Sequence, residues 1–320
     1  MKNKSALKEQ ADALAESNQL PAAIRIYEQI CDAGADDAGS RLALGDMYWR
    51  LDRRQDAVQC YQRAIGLEPG NPDAHHKLGV VLHALGMLPK ARESYQQALQ
   101  LNPGLPETCY HLGNLFKDQG RFNPAEKMYR RCLQLNPEHA RAHCYLGDML
   151  KSRCLVEQAI ASYDRALELE PDLSEAKWRR LRVLPIICES TAELNEYRRR
   201  FAEGLRQLGE QLSLKDSKER MAALLGVSAS TNFFLQYQGR NDLVLQQEYG
   251  RLVERIMAAS FPQWSKPVEM PSLRQGERIR IGYASAFLRE HNGAVWLLGW
   301  LRQRDKNRFE IYCYHTGDKV

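Results

Sequence analysis

Apolar and small residues return along the first half of the chain with a fixed period. Leu44, Leu78, Leu112 and Leu146 stand 34 residues apart, and each is followed by a glycine: Gly45, Gly79, Gly113 and Gly147. Ala57, Ala91, Ala125 and Ala159 keep the same step, as do Tyr61, Tyr95, Tyr129 and Tyr163. Pro69, Pro103, Pro137 and Pro171 close the periods. Proline has no amide proton for the helical ladder, so a helix ends there. Asn71, Asn102 and Asn136 lie near these breaks and suit turns. The pattern predicts two helices per period. Small side chains at the Gly and Ala rows let the two helices approach, and the Tyr row is expected to fill the space between one repeat and the next.

Ala23 and Tyr27 carry the pattern one period further back. There Ala11 replaces the glycine, Ala35 the proline and Gln10 the leucine. An atypical terminal unit is what capping of an array requires. Residues 4–173 therefore read as five repeats, the first degenerate. A sixth unit starts at 174 with Trp178 and Leu181 and leaves the pattern at Pro185. The 34-residue, two-helix unit resembles the tetratricopeptide repeat. That resemblance implies a right-handed superhelix held by contacts between neighbouring repeats.

Residues 174–262 read as capping and linker helices. Leu194, Tyr197, Phe201, Leu205 and Leu208 trace one apolar stripe, and Leu243, Leu245, Tyr249, Leu252, Val253 and Ile256 another. Between them, Thr231 or Asn232 could open a helix or turn that Gly239 closes. Pro262, Pro267, Pro271 and Gly276 mark a linker over 263–277. After it, 278–285 alternates polar and apolar residues as a strand does, 294–301 reads as a helix, and 309–315 reads as a second strand. Strand, helix, strand predicts one βαβ unit over 278–320. The expected fold class is mainly α: the repeat superhelix, a helical segment, and a truncated α/β, Rossmann-like unit.

Composition narrows the classes. The 320 residues are 44% hydrophobic and 27% charged, with a net charge of +5. This is ordinary globular usage. No apolar run is long enough for a bilayer, and the polar N-terminus is unlike a signal peptide, so the expectation is a cytoplasmic chain without a membrane partner. The charge is too evenly spread to indicate a nucleic-acid partner. Arg198, Arg199 and Arg200 sit beside Glu193, Glu196 and Glu203 and read as a solvated, salt-bridged face. The eight cysteines form no CxxC pair. Cys132 shares the small-residue row of Ala64, Ala98 and Ala166, a packing position. His139, His143 and Cys144 have helical spacing, but His143 and Cys144 repeat the rows of His75 and His76. No metal site is assigned.

In repeats of this type, first-helix residues line an inner groove. The candidate groove residues are Trp49, His76, His83, Tyr110, Asn114, Lys117, Asp148 and Lys151. Their mixture of both charges with aromatics suits an extended peptide.

Repeats, a helical segment and then "RIRIGYAS…H…RFEIYCYHTG" resemble the O-linked N-acetylglucosamine transferase and SPINDLY family, its bacterial-type members above all. "TNFFLQYQG" and "YGRLVERIMAASFPQW" are similar to that branch too. The resemblance implies transfer of a sugar from a nucleotide sugar, of the UDP-N-acetylglucosamine kind, to a protein or peptide acceptor held by the repeats. It makes His291 the candidate catalytic histidine, in the loop after the first strand; the competing reading is a loop histidine without such a role. A neutral imidazole there could accept a hydroxyl proton. The surrounding sequence departs from the family: Ala286-Phe287-Leu288 follows Ser285, and Asn292 and Val295 stand where proline and a second histidine are usual. The residues before the Leu-Gly pairs, an asparagine ladder in animal members, are Ala43, Lys77, His111 and Tyr145. The family's donor-binding lobe has no counterpart, and no GxxxxGK[ST] or GxGxxG cradle is present. The expectation is the N-terminal part of a longer transferase or a truncated reading frame, without cofactor and not catalytically competent alone. The alternative is a non-catalytic repeat scaffold for protein–protein interaction.

Overall fold

The computed structural model describes residues 2–32, 37–185, 188–228, 239–263, 279–285 and 309–315. The chain divides into two compact units, 1–262 and 263–320. In the first, ten helices form five antiparallel pairs: α1 (Lys2–Glu16) with α2 (Leu20–Asp32), α3 (Ala38–Arg50) with α4 (Arg54–Leu67), α5 (Pro72–Ala84) with α6 (Leu88–Leu101), α7 (Pro106–Asp118) with α8 (Phe122–Leu135), and α9 (Ala140–Ser152) with α10 (Val156–Leu169). Each second helix also packs on the first helix of the next pair, so one core runs through the stack from Ala11 to Val183.

Local chemistry sets the ends. Pro72 and Pro106 occupy the first helical turn, where no amide proton is needed. The Asn71 side chain accepts from the amides of Asp73 and Ala74 and so caps α5. Asp37 caps α3 through the Ser40 amide at 2.8 Å. Turns between paired helices share one left-handed residue each: Asn18, Asp52, Gly86, Gly120 and Cys154, with φ of 60, 57, 73, 70 and 57°.

The Tyr row meets the next repeat as expected, where Tyr95 lies against His111 and Tyr129 stacks on Tyr145, and it also packs within its own. Each tyrosine packs on the glycine of its own repeat: a β-carbon at Gly45, Gly79, Gly113 or Gly147 would meet the ring of Tyr61, Tyr95, Tyr129 or Tyr163 at 2.5–2.7 Å. The row closes the repeat internally, because only a missing side chain lets a ring lie between two helices this close.

α11 (Ser174–Leu181), α12 (Thr191–Gln211), α13 (Ser217–Ser228) and α14 (Leu243–Ser260) follow. They enclose a second core of Trp178, Leu181, Tyr197, Phe201, Leu205, Leu208, Leu252 and Ile256. Leu243 is 59% exposed and lies off the predicted α14 stripe. α13 crosses so close to α11 that a β-carbon at Gly226 would stand 2.0 Å from Trp178 Cδ1. The Arg182 guanidinium donates to the Gly226 carbonyl (2.7 Å) and the Val227 carbonyl (3.3 Å), the last turn of α13. Arg198 also departs from the solvated reading: it is largely buried and meets Asp242 at 2.6 Å, tying α12 to the start of α14.

The expected Rossmann-like lobe is corrected. Most of the described residues are helical, in fourteen α-helices. In the second unit the described elements are β1 (Ile279–Ser285) and β2 (Phe309–His315), paired in parallel with Ile279 opposite Phe309 and Ser285 opposite His315. No βαβ unit stands among the described residues. A parallel pair needs helices over its faces to bury them, and none is described there. The helix expected over 294–301, residues 264–277 of the linker, Thr231, Asn232 and His291 all lie outside the described residues.

Candidate binding groove

α5 touches α7, and α9 touches α11, in addition to their own partner helices. The first helices are thus the closer-set layer of the stack, its inner side. Across this layer runs a polar ladder. In four repeats the Tyr-row hydroxyl donates to the residue fifteen positions earlier: Tyr27 to Asp12, Tyr61 to Asp46 (2.6 Å), Tyr129 to Asn114 (2.8 Å) and Tyr163 to Asp148 (2.7 Å). Two of these acceptors also take a cation from the next repeat. Lys77 Nζ lies 2.8 Å from Asp46, and Arg179 lies 2.6 Å from Asp148.

The middle of the layer is different. His76 and His111 rings are 5.4 Å apart, His111 and Tyr110 5.2 Å, Tyr110 and His139 4.7 Å, and Tyr110 and Tyr145 5.9 Å. Lys117 Nζ sits 4.4 Å above the Tyr145 ring and Arg179 Cζ 4.5 Å from its centre, cation–π contacts strengthened by the partial burial. Thr108 Oγ1 lies 2.9 Å from His76 Nδ1. Burial holds both imidazoles neutral: it depresses His76, with help from Lys77, to about 4, and His111, with help from His76, to about 4. A section of neutral imidazoles and tyrosine rings, with cations over Tyr145, thus lies between the Lys77–Asp46 and Arg179–Asp148 pairs.

Of the sequence candidates, His76, Tyr110 and Lys117 meet in this section. Asn114 and Asp148 belong to the ladder as acceptors for their own repeats. His83 pairs with Asp118 at 3.0 Å. Trp49 is half-buried against the core, distant in sequence from the ring cluster. Lys151 is half-buried; burial lowers its pKa against the pull of Asp148. His111, Tyr145 and Arg179 were missed as site residues. The signal was present for two of them, since His111 and Tyr145 occupy the row before Leu-Gly. His139 is engaged as the α9 cap, accepting from the Ala142 amide at 3.1 Å. His143 Nε2 meets the Pro137 carbonyl at 2.9 Å. Among the described residues no cluster of three or more His, Cys, Asp and Glu could hold a metal ion, and no helix is long and apolar enough to cross a membrane.

Residues 42–106 and 106–139 match models of the tetratricopeptide repeat. No curated protein matches the chain. Among solved structures, PilF of Pseudomonas aeruginosa is 16% identical, covering 68% of this chain and 95% of that one, with a TM-score of 0.57. MamA is 23% identical over 50% of this chain and 94% of its own, with a TM-score of 0.47. YrrB, described as a repeat protein with an unusual peptide-binding site, is 23% identical over 52% of this chain and 86% of its own, with a TM-score of 0.44. At these identities the likeness concerns fold alone. The chain carries tetratricopeptide repeats, matched over residues 42–139 and continued by the same helical pairing on both sides.

Proposed function

We propose that the inner layer of first helices binds an extended segment of a partner protein. The observation that carries this is the run of rings from His76 through His111 and Tyr110 to Tyr145, which spans three successive repeats and is bordered by Lys117 and Arg179. Such a strip offers apolar contact and cation-flanked polarity at the spacing of an extended chain. The reading is a binding scaffold. The transferase reading has only the resemblance of residues 230–317 in its favour, and no α/β lobe stands among the described residues.

Random-peptide display against the immobilised protein tests the proposal, with Lys117→Ala/Tyr145→Ala as the counter-screen. Selected peptides should bind the wild type at least about tenfold more tightly than the double variant, since groove anchors of this kind contribute upward of 1 kcal/mol each. Equal binding to both proteins would remove the groove from the account.

A further inference from the structure

One member of the tyrosine ladder has no acceptor. The Tyr95 hydroxyl is fully buried and makes no hydrogen bond. Its counterparts in the other repeats reach Asp12, Asp46, Asn114 and Asp148, but the residue fifteen positions before Tyr95 is Val80. By repeat equivalence the hydroxyl ends on the inner layer beside Val80. Leaving a buried hydroxyl without a partner is unfavourable, and it occurs in the repeat whose groove position is neutral. His111, the partly exposed side chain of the next repeat, stacks over the Tyr95 ring at 6.1 Å and 13°. His76 lies 6.1 Å away on the other helix of the same repeat. A ligand group reaching the hydroxyl would have to displace the His111 side chain from beside the ring.

We infer that Tyr95, with His76 and His111 around it, is a socket for a neutral amide of the bound segment, an asparagine or glutamine side chain. The inference rests on the groove reading above. Its chemistry follows from the donors and acceptors present. The tyrosine hydroxyl donates to the amide oxygen, as Tyr129 donates to the Asn114 amide oxygen within the protein. A neutral imidazole carries one donor and one acceptor nitrogen, so it can take the amide NH2. A carboxylate fits less well: it would be desolvated beside two uncharged rings. The cations around it are each paired, Lys77 with Asp46, Arg179 with Asp148 and Lys117 with Asp118 at 3.6 Å, which leaves the middle of the groove to select on hydrogen bonding rather than on charge.

The sequence suggests its own control. Val80→Asn supplies Tyr95 with the partner that Tyr129 already has and fills the socket from within. Tyr95→Phe removes the hydroxyl and its unmet hydrogen bond, so neither variant is expected to unfold. The probe is a positional-scanning library of acetylated nonapeptide amides with Asn, Gln, Asp, Glu or Leu fixed at each position in turn, read by fluorescence polarisation. In the wild type, one position should favour Asn or Gln over Leu by about three- to tenfold, the range of one neutral hydrogen bond. Both variants should bind the pools but hold that preference below about twofold. Pools that bind the wild type with no amide preference at any position overturn the socket and leave the groove reading intact; a buried water then satisfies the hydroxyl. A preference that survives in both variants, or favours Asp and Glu, also overturns it. Pools that bind nowhere overturn the groove reading itself.

Discussion

Tyr129 lies over Gly113 so closely that a β-carbon on the glycine would stand 2.7 Å from Cε1 of the ring. The contact recurs at Gly45, Gly79 and Gly147, and it explains why glycine persists in mid-helix, where alanine is favoured by about 1 kcal/mol. Gly113→Ala should therefore destabilise despite its better helix propensity, because overpacking costs about 1–3 kcal/mol. Thermal melting by circular dichroism should show a lower midpoint, with recovery in Gly113→Ala/Tyr129→Leu relative to Tyr129→Leu alone. A higher midpoint for the single variant would show that the helices separate without cost.

The left-handed turn row is filled unevenly. Cys154 adopts φ of 57° where Gly86 and Gly120 adopt 73 and 70°. The left-handed region costs an ordinary residue roughly 1–2 kcal/mol, part of which glycine gives back as chain entropy. Cys154→Gly should raise stability by about 0.5–1 kcal/mol, and Gly86→Ala should lower it by a similar amount. Denaturant midpoints measure both; the same sign for the two would refute the assignment.

The neutral histidines make the repeats acid-sensitive. Burial pulls both rings down from the ordinary 6.5 to about 4 in the native protein. The unfolded chain therefore takes up protons first as pH falls. The stability held by each neutral ring is complete above pH 6.5 and is lost progressively toward pH 4. At pH 5 the loss is on the order of 1–2 kcal/mol per ring. Melting temperature should fall between pH 7 and pH 5, and fall less in His76→Gln/His111→Gln. An equal fall in that variant would place the sensitivity elsewhere.

Arg182 is 1% exposed and holds the last carbonyls of α13 against α11. A cation at a helix C-terminus also meets the negative end of its dipole. Arg182→Met keeps the volume and removes the donors, at a cost of about 2–3 kcal/mol. Hydrogen exchange should quicken across α13 and α14 and stay unchanged across α3–α6. Uniform quickening would show that cap and repeats unfold as one unit.

What could be read from the sequence follows what the packing repeats. Gly45 and Tyr61 recur because the same contact is made in each unit, so the period and both helices of each pair were legible. Tyr61's partner was not: the row itself does not say whether the ring faces its own repeat or the next. The turn row escaped notice because Asn18, Asp52, Gly86, Gly120 and Cys154 share a backbone conformation and no side-chain chemistry. The ring cluster escaped for a related reason. His111 and Tyr145 stand in one row with Ala43 and Lys77, and their meaning lies in contacts between repeats, to His76 and Tyr110. In the tail the alternation at 278–285 and 309–315 was legible as strands, and both are present and paired in parallel; alternation does not say what covers them, so it did not carry a Rossmann-like unit.

The central claim is that partner segments lie along the first helices. A peptide selected by display, carrying a benzophenone photo-crosslinker at its centre and mapped by mass spectrometry after irradiation, tests it most directly. The expected adducts fall on α5, α7 and α9, around His76, His111 and Tyr145. Adducts confined to the second helices, α6, α8 and α10, or to α12–α14 would contradict it.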